Sequence, residues 1–145
     1  MSRTQDGHQV TAPRELIHLM SEVRLAQLQR YEMGQPAPQA PAIFSPRSFD
    51  AALPQVSKIR IQRTIYPEYV DAKPFIAALS GEKTEHNLES LARIWKTSEE
   101  DTIHMSDRLV EIGFFQYRAP NFWVPFMYRP ELKLVQGAAP EVARR

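Results

Sequence analysis

The sequence of 145 residues contains no cysteine and only five glycines. Without cysteine, the chain has no disulfide, no catalytic thiolate and no cysteine-ligated zinc. The glycines are isolated and no G-x-x-x-x-G-K-[ST] motif occurs, so the loop that cradles nucleotide phosphates is missing. No apolar run approaches the roughly 20 residues that cross a bilayer, and no signal peptide opens the chain. We therefore expect a cytoplasmic protein without membrane contact.

An excess of one charge sign is also lacking, because 18 basic and 17 acidic residues leave a net charge of +1. This balance provides no general attraction to nucleic acid, so any basic surface must be local. The sequence shows neither a Walker B pattern nor a catalytic constellation. The four histidines are too widely separated for a local metal motif: His8, His18, His86 and His104. We expect a protein that is not an enzyme, with no catalytic residues, metal or cofactor.

Proline, by contrast, is abundant, and four of the 12 prolines fall within the stretch GQPAPQAPAIFSP. This stretch lacks periodicity, which predicts an extended, semi-rigid linker over residues 34–47. The preceding residues 1–33 are interpreted as a polar tail followed by a helical arm over residues 14–33. Thr11 is the expected cap of that helix and Gly34 the expected stop signal.

The predicted arm is very apolar for an isolated helix. Leu16, Met20 and Val23 recur at helical spacing on one face, and further leucines broaden the apolar surface. Such a helix is expected to pack against something. The downstream part of the same chain and a partner protein are the two alternatives for what packs on this helix. Leu16, Met20 and Val23 are therefore candidate protein contacts.

A middle helix is predicted over residues 48–69, with Ser48 as its cap. Its apolar residues recur every three to four positions, and Lys58, Arg60 and Arg63 form a short basic stripe beside them. Such a stripe is usually the solvated side of an amphipathic helix. If the protein binds DNA, the same stripe is a candidate surface for phosphates.

Residues 70–137 have the pattern of three short helices, one polar strand and two aromatic strands. The helical segments are KPFIAALSG, NLESLARIW and EEDTIHMSDRLVEIG, and the strands are EKTEHN, FFQYR and FWVPFMYR. Helix, strand, helix, turn, helix and hairpin is the order of a winged helix-turn-helix. The predicted fold class is therefore mainly α with a small β-hairpin, a helical arm followed by a winged-helix domain. A flexible tail is expected over residues 138–145.

The third helix of such a domain normally reads the DNA major groove, and here it is acidic. Residues 98–112 carry five acidic side chains against one arginine, which gives a net charge of −4. Placing this helix against phosphates costs free energy, because affinity comes from neutralising them with Lys and Arg. A wing is nevertheless able to enter a minor groove with one arginine. A small DNA-binding transcriptional regulator therefore stays open as the alternative, with the candidate nucleic-acid contacts Lys58, Arg60, Arg63, Arg118 and Arg129.

Seven aromatic residues lie between Phe114 and Tyr128, more than the inner face of one hairpin needs. Strand alternation places apolar side chains on both faces of the predicted hairpin, so one face needs a separate cover. The alternatives for what packs on this face are the helical arm of the same chain and a second protein. Trp123, Phe126 and Tyr128 are the candidate contacts.

Four stretches together are similar to the C-terminal region of bacterial P-loop ATPases of the AAA- or STAND-like type. They are TAPRELIHLM, ALPQVSKIRIQRT, SGEKTEHNLESLARIW and RLVEIGFFQYRAPNFWVPFMYRPELKLVQG. In that family a nucleotide-binding domain is followed by a helical segment and a winged helix. The resemblance implies a non-catalytic, regulatory interaction module for domain packing or oligomerisation. Its expected partner is an ATPase domain, another protein or a second copy of the chain.

Overall fold

The computed structural model describes residues 5–138, which form a mainly helical fold with one small sheet, as the predicted class requires. The helices are α1 (Pro13–Glu32), α2 (Pro46–Ile59), α3 (Tyr66–Glu68), α4 (Lys73–Ala78), α5 (Leu88–Trp95), α6 (Glu99–Glu111) and α7 (Arg129–Leu132). The strands are β1 (Lys83–His86), β2 (Gln116–Arg118), β3 (Asn121–Trp123) and β4 (Val135–Ala138). The tail expected from residue 138 onward lies outside the described residues, apart from Ala138 itself.

Helix α1 packs against α2 and buries a stripe of every fourth residue. The stripe consists of Glu15, Leu19, Val23 and Gln27. Leu19 and Val23 form a small apolar cluster with Ala52 and Val56 of α2. Val23, one of the three predicted arm contacts, is not available to a partner. Helix α2 covers its side chain completely, so its assignment as a protein contact is corrected.

Neither predicted cap is the N-cap residue of its helix. The N-cap of α1 is Ala12, one residue after Thr11, and it makes no side-chain cap. Helix α2 begins at Pro46, two residues before the predicted cap Ser48. Ser48 lies inside α2, where its hydroxyl donates a hydrogen bond to Gln27 Oε1 at 2.8 Å. The Ser45 amide donates to the same oxygen at 2.9 Å. These two hydrogen bonds hold the start of α2 against the Gln27 end of the α1 stripe.

The predicted middle helix is continuous in path but changes type. A π-helical segment, Arg60–Ile65, joins α2 to α3, so helical backbone extends to Glu68. π-helical turns are rare in proteins, and those that occur often lie at functional sites. This one buries Ile61 and Ile65 and places Arg60 beside α1.

The sheet has the strand order β2–β3–β1–β4. Strands β2 and β3 form the predicted hairpin, with Tyr117 opposite Phe122, and β3 runs antiparallel to β1. Strand β4 lies parallel to β1 on its other side. The sequence did not predict β4, since its four residues VQGA lack the alternation that identifies a strand.

The predicted second aromatic strand is too long. It ends at Trp123, and the chain then forms a 3₁₀ turn, Phe126–Tyr128, that leads into α7. Pro125 is the reason, because it has no amide hydrogen for the sheet. Its carbonyl oxygen instead accepts a hydrogen bond from the Tyr128 amide at 3.1 Å.

The aromatic residues mostly form the core, which corrects the expectation of a hairpin that is apolar on both faces. Four of the seven are buried: Phe114, Phe115, Phe122 and Tyr128. The rings of Phe114 and Tyr128 stack at 5.0 Å between centroids, and those of Phe115 and Phe122 meet at 5.6 Å. The first strand starts only after Phe115, because the amides of Phe114 and Phe115 bond to the Leu109 carbonyl at the end of α6.

Residues 5–10, here named the N-terminal strap, lie over the C-terminal end of α6. The Gly7 amide donates a hydrogen bond to the Gly113 carbonyl at 2.6 Å. The His8 Nε2 atom is 2.8 Å from the Glu111 carbonyl oxygen. Asp6 stabilises the turn of the strap by accepting bonds from two backbone amides. The strap therefore caps carbonyl groups that a helix end leaves without partners.

Candidate protein-interaction surfaces

The outer face of α1 is apolar and exposed. Its large side chains keep between 38% and 68% of their accessible surface: Leu16, Ile17, Met20, Leu25, Leu28 and Tyr31. Large side chains have about 150–250 Å² each, so this face presents on the order of 500 Å² of apolar surface. The largest apolar patch on a monomeric protein is about 300–600 Å² and is often functional. Leu16 and Met20, two of the predicted contacts, belong to this face.

A second apolar feature, the α6–hairpin groove, lies between α6 and the β2–β3 hairpin. It has a volume of about 270 Å³. Its apolar walls are Leu88, Ile103, Val110, Tyr117 and Phe122. Ile103 and Tyr117 are exposed, and the Asp107 side chain also lines the groove. A concave apolar site with one placed charge is suited to binding an apolar side chain that has a cation beside it.

The exposed surface of α6 beside this groove is acidic, as the sequence indicates. Its exposed carboxylates are those of Glu99, Glu100, Asp101, Asp107 and Glu111. Arg108, the one basic residue of α6 besides histidine, lies 3.1 Å from Glu111 and 3.4 Å from Asp71. Its charge is thus shared with carboxylates of the same chain.

The three aromatic contacts predicted for the hairpin occupy different environments. Tyr128 is completely buried, so its assignment as a surface contact is corrected: it stacks on Phe114 in the core. Trp123 is half-buried, with the Arg118 guanidinium 4.9 Å from its ring centroid. Phe126 is exposed, and the Arg129 guanidinium lies 4.0 Å from its ring centroid.

The five candidate nucleic-acid contacts do not form one free basic surface. Lys58, Arg63 and Arg118 are exposed. Arg129 is buried and donates to the Val124 carbonyl at 2.7 Å. Burial, with a smaller effect of Arg118, lowers the pKa of Arg129. Since Arg129 is held inside the fold, its predicted role on phosphates is corrected.

Arg60, the remaining candidate, forms a buried ion pair. Its Nη1 atom donates to Glu15 Oε1 at 2.6 Å. Burial lowers the pKa of Arg60, but Tyr128, Glu15 and Asp6 favour the charged guanidinium, and the pKa is raised overall. Burial also raises the pKa of Tyr128 to about 12. The pair thus links α1 to the π-helical segment, and Arg60 is not the solvated residue that the sequence predicts.

Sequence reasoning missed this ion pair, although one signal was present. Glu15 is four residues before Leu19 and eight before Val23, which places a carboxylate in line with the buried apolar stripe. A charge in such a stripe needs a buried partner.

A cavity of about 270 Å³ opens beside the ion pair, between α1 and the π-helical segment. Arg14, His18 and Thr64 line it together with the ion pair. Glu15 Oε2 and Arg60 Nε are buried there without a hydrogen-bond partner among residues 5–138. An acceptor and a donor arranged in this way are suited to holding ordered water.

Among residues 5–138, no three His, Asp or Glu side chains lie close enough together to hold a metal ion. Over the same residues, no helix combines the length and apolar character needed to cross a membrane. Neither protein-family models nor curated proteins nor solved structures match the chain.

Proposed function

We propose that residues 70–137 form a winged-helix domain. The order α4, β1, α5, α6, β2 and β3 agrees with that of the motif. The pairing of β1 with β3, and of β3 with β2, supports the same assignment. In this proposal the β2–β3 hairpin is the wing and β4 is an addition to the sheet. A winged helix is also what the resemblance of four sequence stretches to the C-terminal region of P-loop ATPases implies.

The chain, in our proposal, is a non-catalytic interaction module that oligomerises through the outer face of α1. The observation that carries this proposal is the exposure of six large apolar side chains on that face, although α2 covers the adjoining stripe of the same helix. The largest apolar patch of a monomeric protein is often functional. A standard protein interface buries about 800 Å² per partner, and the apolar part of this face, on the order of 500 Å², is more than half of that area.

Met20→Asp should abolish this self-association. A carboxylate placed within an apolar contact loses hydration without gaining a partner, which costs several kcal/mol. We expect the sedimentation coefficient of the unmodified chain to rise with concentration, and that of Met20→Asp to stay at the monomer value. Gln29→Asp is the matched control, because Gln29 is exposed on the polar side of the same helix.

The control is expected to associate like the unmodified chain. An unmodified chain that remains monomeric at every concentration up to about 1 mM would rule out oligomerisation as the function.

The second candidate function is a winged-helix DNA-binding regulator. Arg118 favours it, because this exposed arginine lies on the proposed wing. Lys58 and Arg63 are also exposed on the adjoining helical segments. The acidic α6 opposes it, since this helix occupies the place that normally enters the major groove.

A further inference from the structure

The outer face of α1 and the α6–hairpin groove are complementary in shape and charge. The face is convex and apolar, and Arg24 lies within it, four residues after Met20 and four before Leu28. Arg24 is exposed. The groove is concave and apolar, with the Asp107 carboxylate at its wall and further carboxylates on the exposed surface of α6.

Direct pairing of α1 with α1 of a second copy is disfavoured by the same arginine. A two-fold axis near the middle of the helix places each central residue opposite its own copy. A two-fold axis that passes close to Arg24 brings the two guanidinium groups together within an apolar contact. Like charges in contact are destabilising, and more so when they are desolvated. An acidic acceptor avoids this repulsion.

We propose that α1 of one copy docks in the α6–hairpin groove of a second copy, with Arg24 beside the carboxylate of Asp107. This inference rests on the proposed oligomerisation and names the acceptor surface. Docking of an amphipathic helix in an apolar groove is a common recognition mode. The contact joins two different surfaces, so a docked pair still presents one free helix face and one free groove. Assembly therefore closes into a ring of two or more copies or continues as a filament.

Variants that disable one surface at a time test this arrangement. Met20→Asp disables the helix face, and Ile103→Asp disables the groove. Ile103 is 40% exposed, so its replacement leaves the core intact. Each variant alone is expected to be monomeric, with the self-association Kd raised at least about tenfold. His104→Asp is the control for the groove, because His104 is exposed on the same helix and does not line the groove.

Mixing the two monomeric variants is the decisive measurement. The intact helix face of Ile103→Asp should dock in the intact groove of Met20→Asp and give a one-to-one dimer that grows no further. A mixture that stays monomeric would overturn the groove assignment. So would an Ile103→Asp chain that associates like the unmodified one, although oligomerisation through α1 would then stand. An unmodified chain that is monomeric at all concentrations would instead remove the proposed function itself.

Charge reversal provides an independent check that depends on no apolar residue. Arg24→Glu and Asp107→Arg should each weaken association about tenfold. The double variant should recover the association, because every interface then contains the same ion pair with its two charges exchanged. A double variant weaker than both single variants would contradict the contact between these two residues.

Discussion

Gly7 is the glycine with the least room for a side chain. A Cβ added there would lie 2.1 Å from the Phe115 carbonyl oxygen and 2.9 Å from that of Gly113. Both neighbours are backbone atoms at the end of α6, so no side-chain rotation relieves the contact. The close approach is what allows the Gly7 amide to reach the Gly113 carbonyl. Glycine is thus required for the strap to lie on the helix end.

Gly7→Ala is expected to detach the N-terminal strap and to lower the free energy of unfolding by about 1–3 kcal/mol. The measurement is urea unfolding, combined with hydrogen exchange of the residue 7 amide, which should lose its protection. Gly34→Ala is the control: it has a φ of +76° and no atom within 4 Å of an added Cβ. It should cost about 1 kcal/mol in backbone strain and leave the residue 7 amide protected. A Gly7→Ala chain with unchanged stability and protection would contradict the strap contact.

At the scale of single elements, periodicity located α1 to within one residue at each end, but it did not reveal which side of the helix is buried. Most of the circumference of α1 is apolar, so local pattern does not decide the matter. The buried side is instead the one whose polar members find partners, Ser48 for Gln27 and Arg60 for Glu15. These partners are 21 and 45 residues away in sequence, beyond the reach of a helical pattern.

The junction of β1 with α5 contains a buried histidine. His86 Nε2 is 2.8 Å from the Lys83 carbonyl oxygen, and Nδ1 is 3.3 Å from Ser90 Oγ. Ser90 also forms a reciprocal capping box with Asn87 at the start of α5. Burial lowers the pKa of His86, and the bond to the Lys83 carbonyl offsets only part of this. The neutral imidazole is therefore the form that the fold prefers.

This preference predicts a loss of stability in mild acid. The folded pKa lies below the unfolded one, so the contribution is fully present above the unfolded value of about 6.5. It is lost as the pH falls from there through the folded pKa, because the unfolded chain then binds a proton more readily. Unfolding free energies measured at about pH 7.5 and pH 5 should differ less in His86→Gln than in the unmodified chain.

His104→Gln serves as the control, since His104 is exposed on α6. It should retain the pH dependence of the unmodified chain. An equal pH dependence in His86→Gln and the unmodified chain would show that His86 is not the titrating group.

At the scale of the whole molecule, the order of elements from α4 to β3 was predictable, whereas the contacts that close the fold were not. Each helix from α4 to α6 has its own apolar period and end signals, which a local pattern contains. Strand β4 and the strap lack such patterns and are held by tertiary hydrogen bonds, to Glu82 and Gly113 respectively. The same distinction applies to the candidate contacts. Leu16 and Met20 are exposed, so they remain available for the predicted contact. The burial of Tyr128 and Arg129 depends on α7 and the core, which no local pattern contains.

The charge distribution of the whole molecule leads to a prediction about DNA. The net charge is +1, and among the candidate contacts only Lys58, Arg63 and Arg118 are exposed and basic. Lys58 and Arg63 line one pocket, but with Arg118 they are only three cations, and so few phosphate contacts release few counterions from a duplex. We expect binding to a random duplex to be no tighter than the nonspecific range of about 10⁻⁴ M at physiological salt. Fluorescence anisotropy of a labelled duplex, titrated between about 50 and 200 mM salt, measures this affinity.

Arg118→Ala and Met20→Asp separate the two proposed functions in that assay. If the chain is an interaction module, neither variant changes duplex affinity, and only Met20→Asp alters sedimentation. Micromolar affinity that falls with salt and disappears in Arg118→Ala would instead favour the DNA-binding regulator. That outcome requires the wing to supply most of the binding energy, since α6 repels phosphates through its exposed carboxylates. The salt slope would then be small, close to the number of phosphates that one or two arginines neutralise. A steep slope would require exposed basic groups beyond these three candidates, such as Arg14, Arg47 or Lys133.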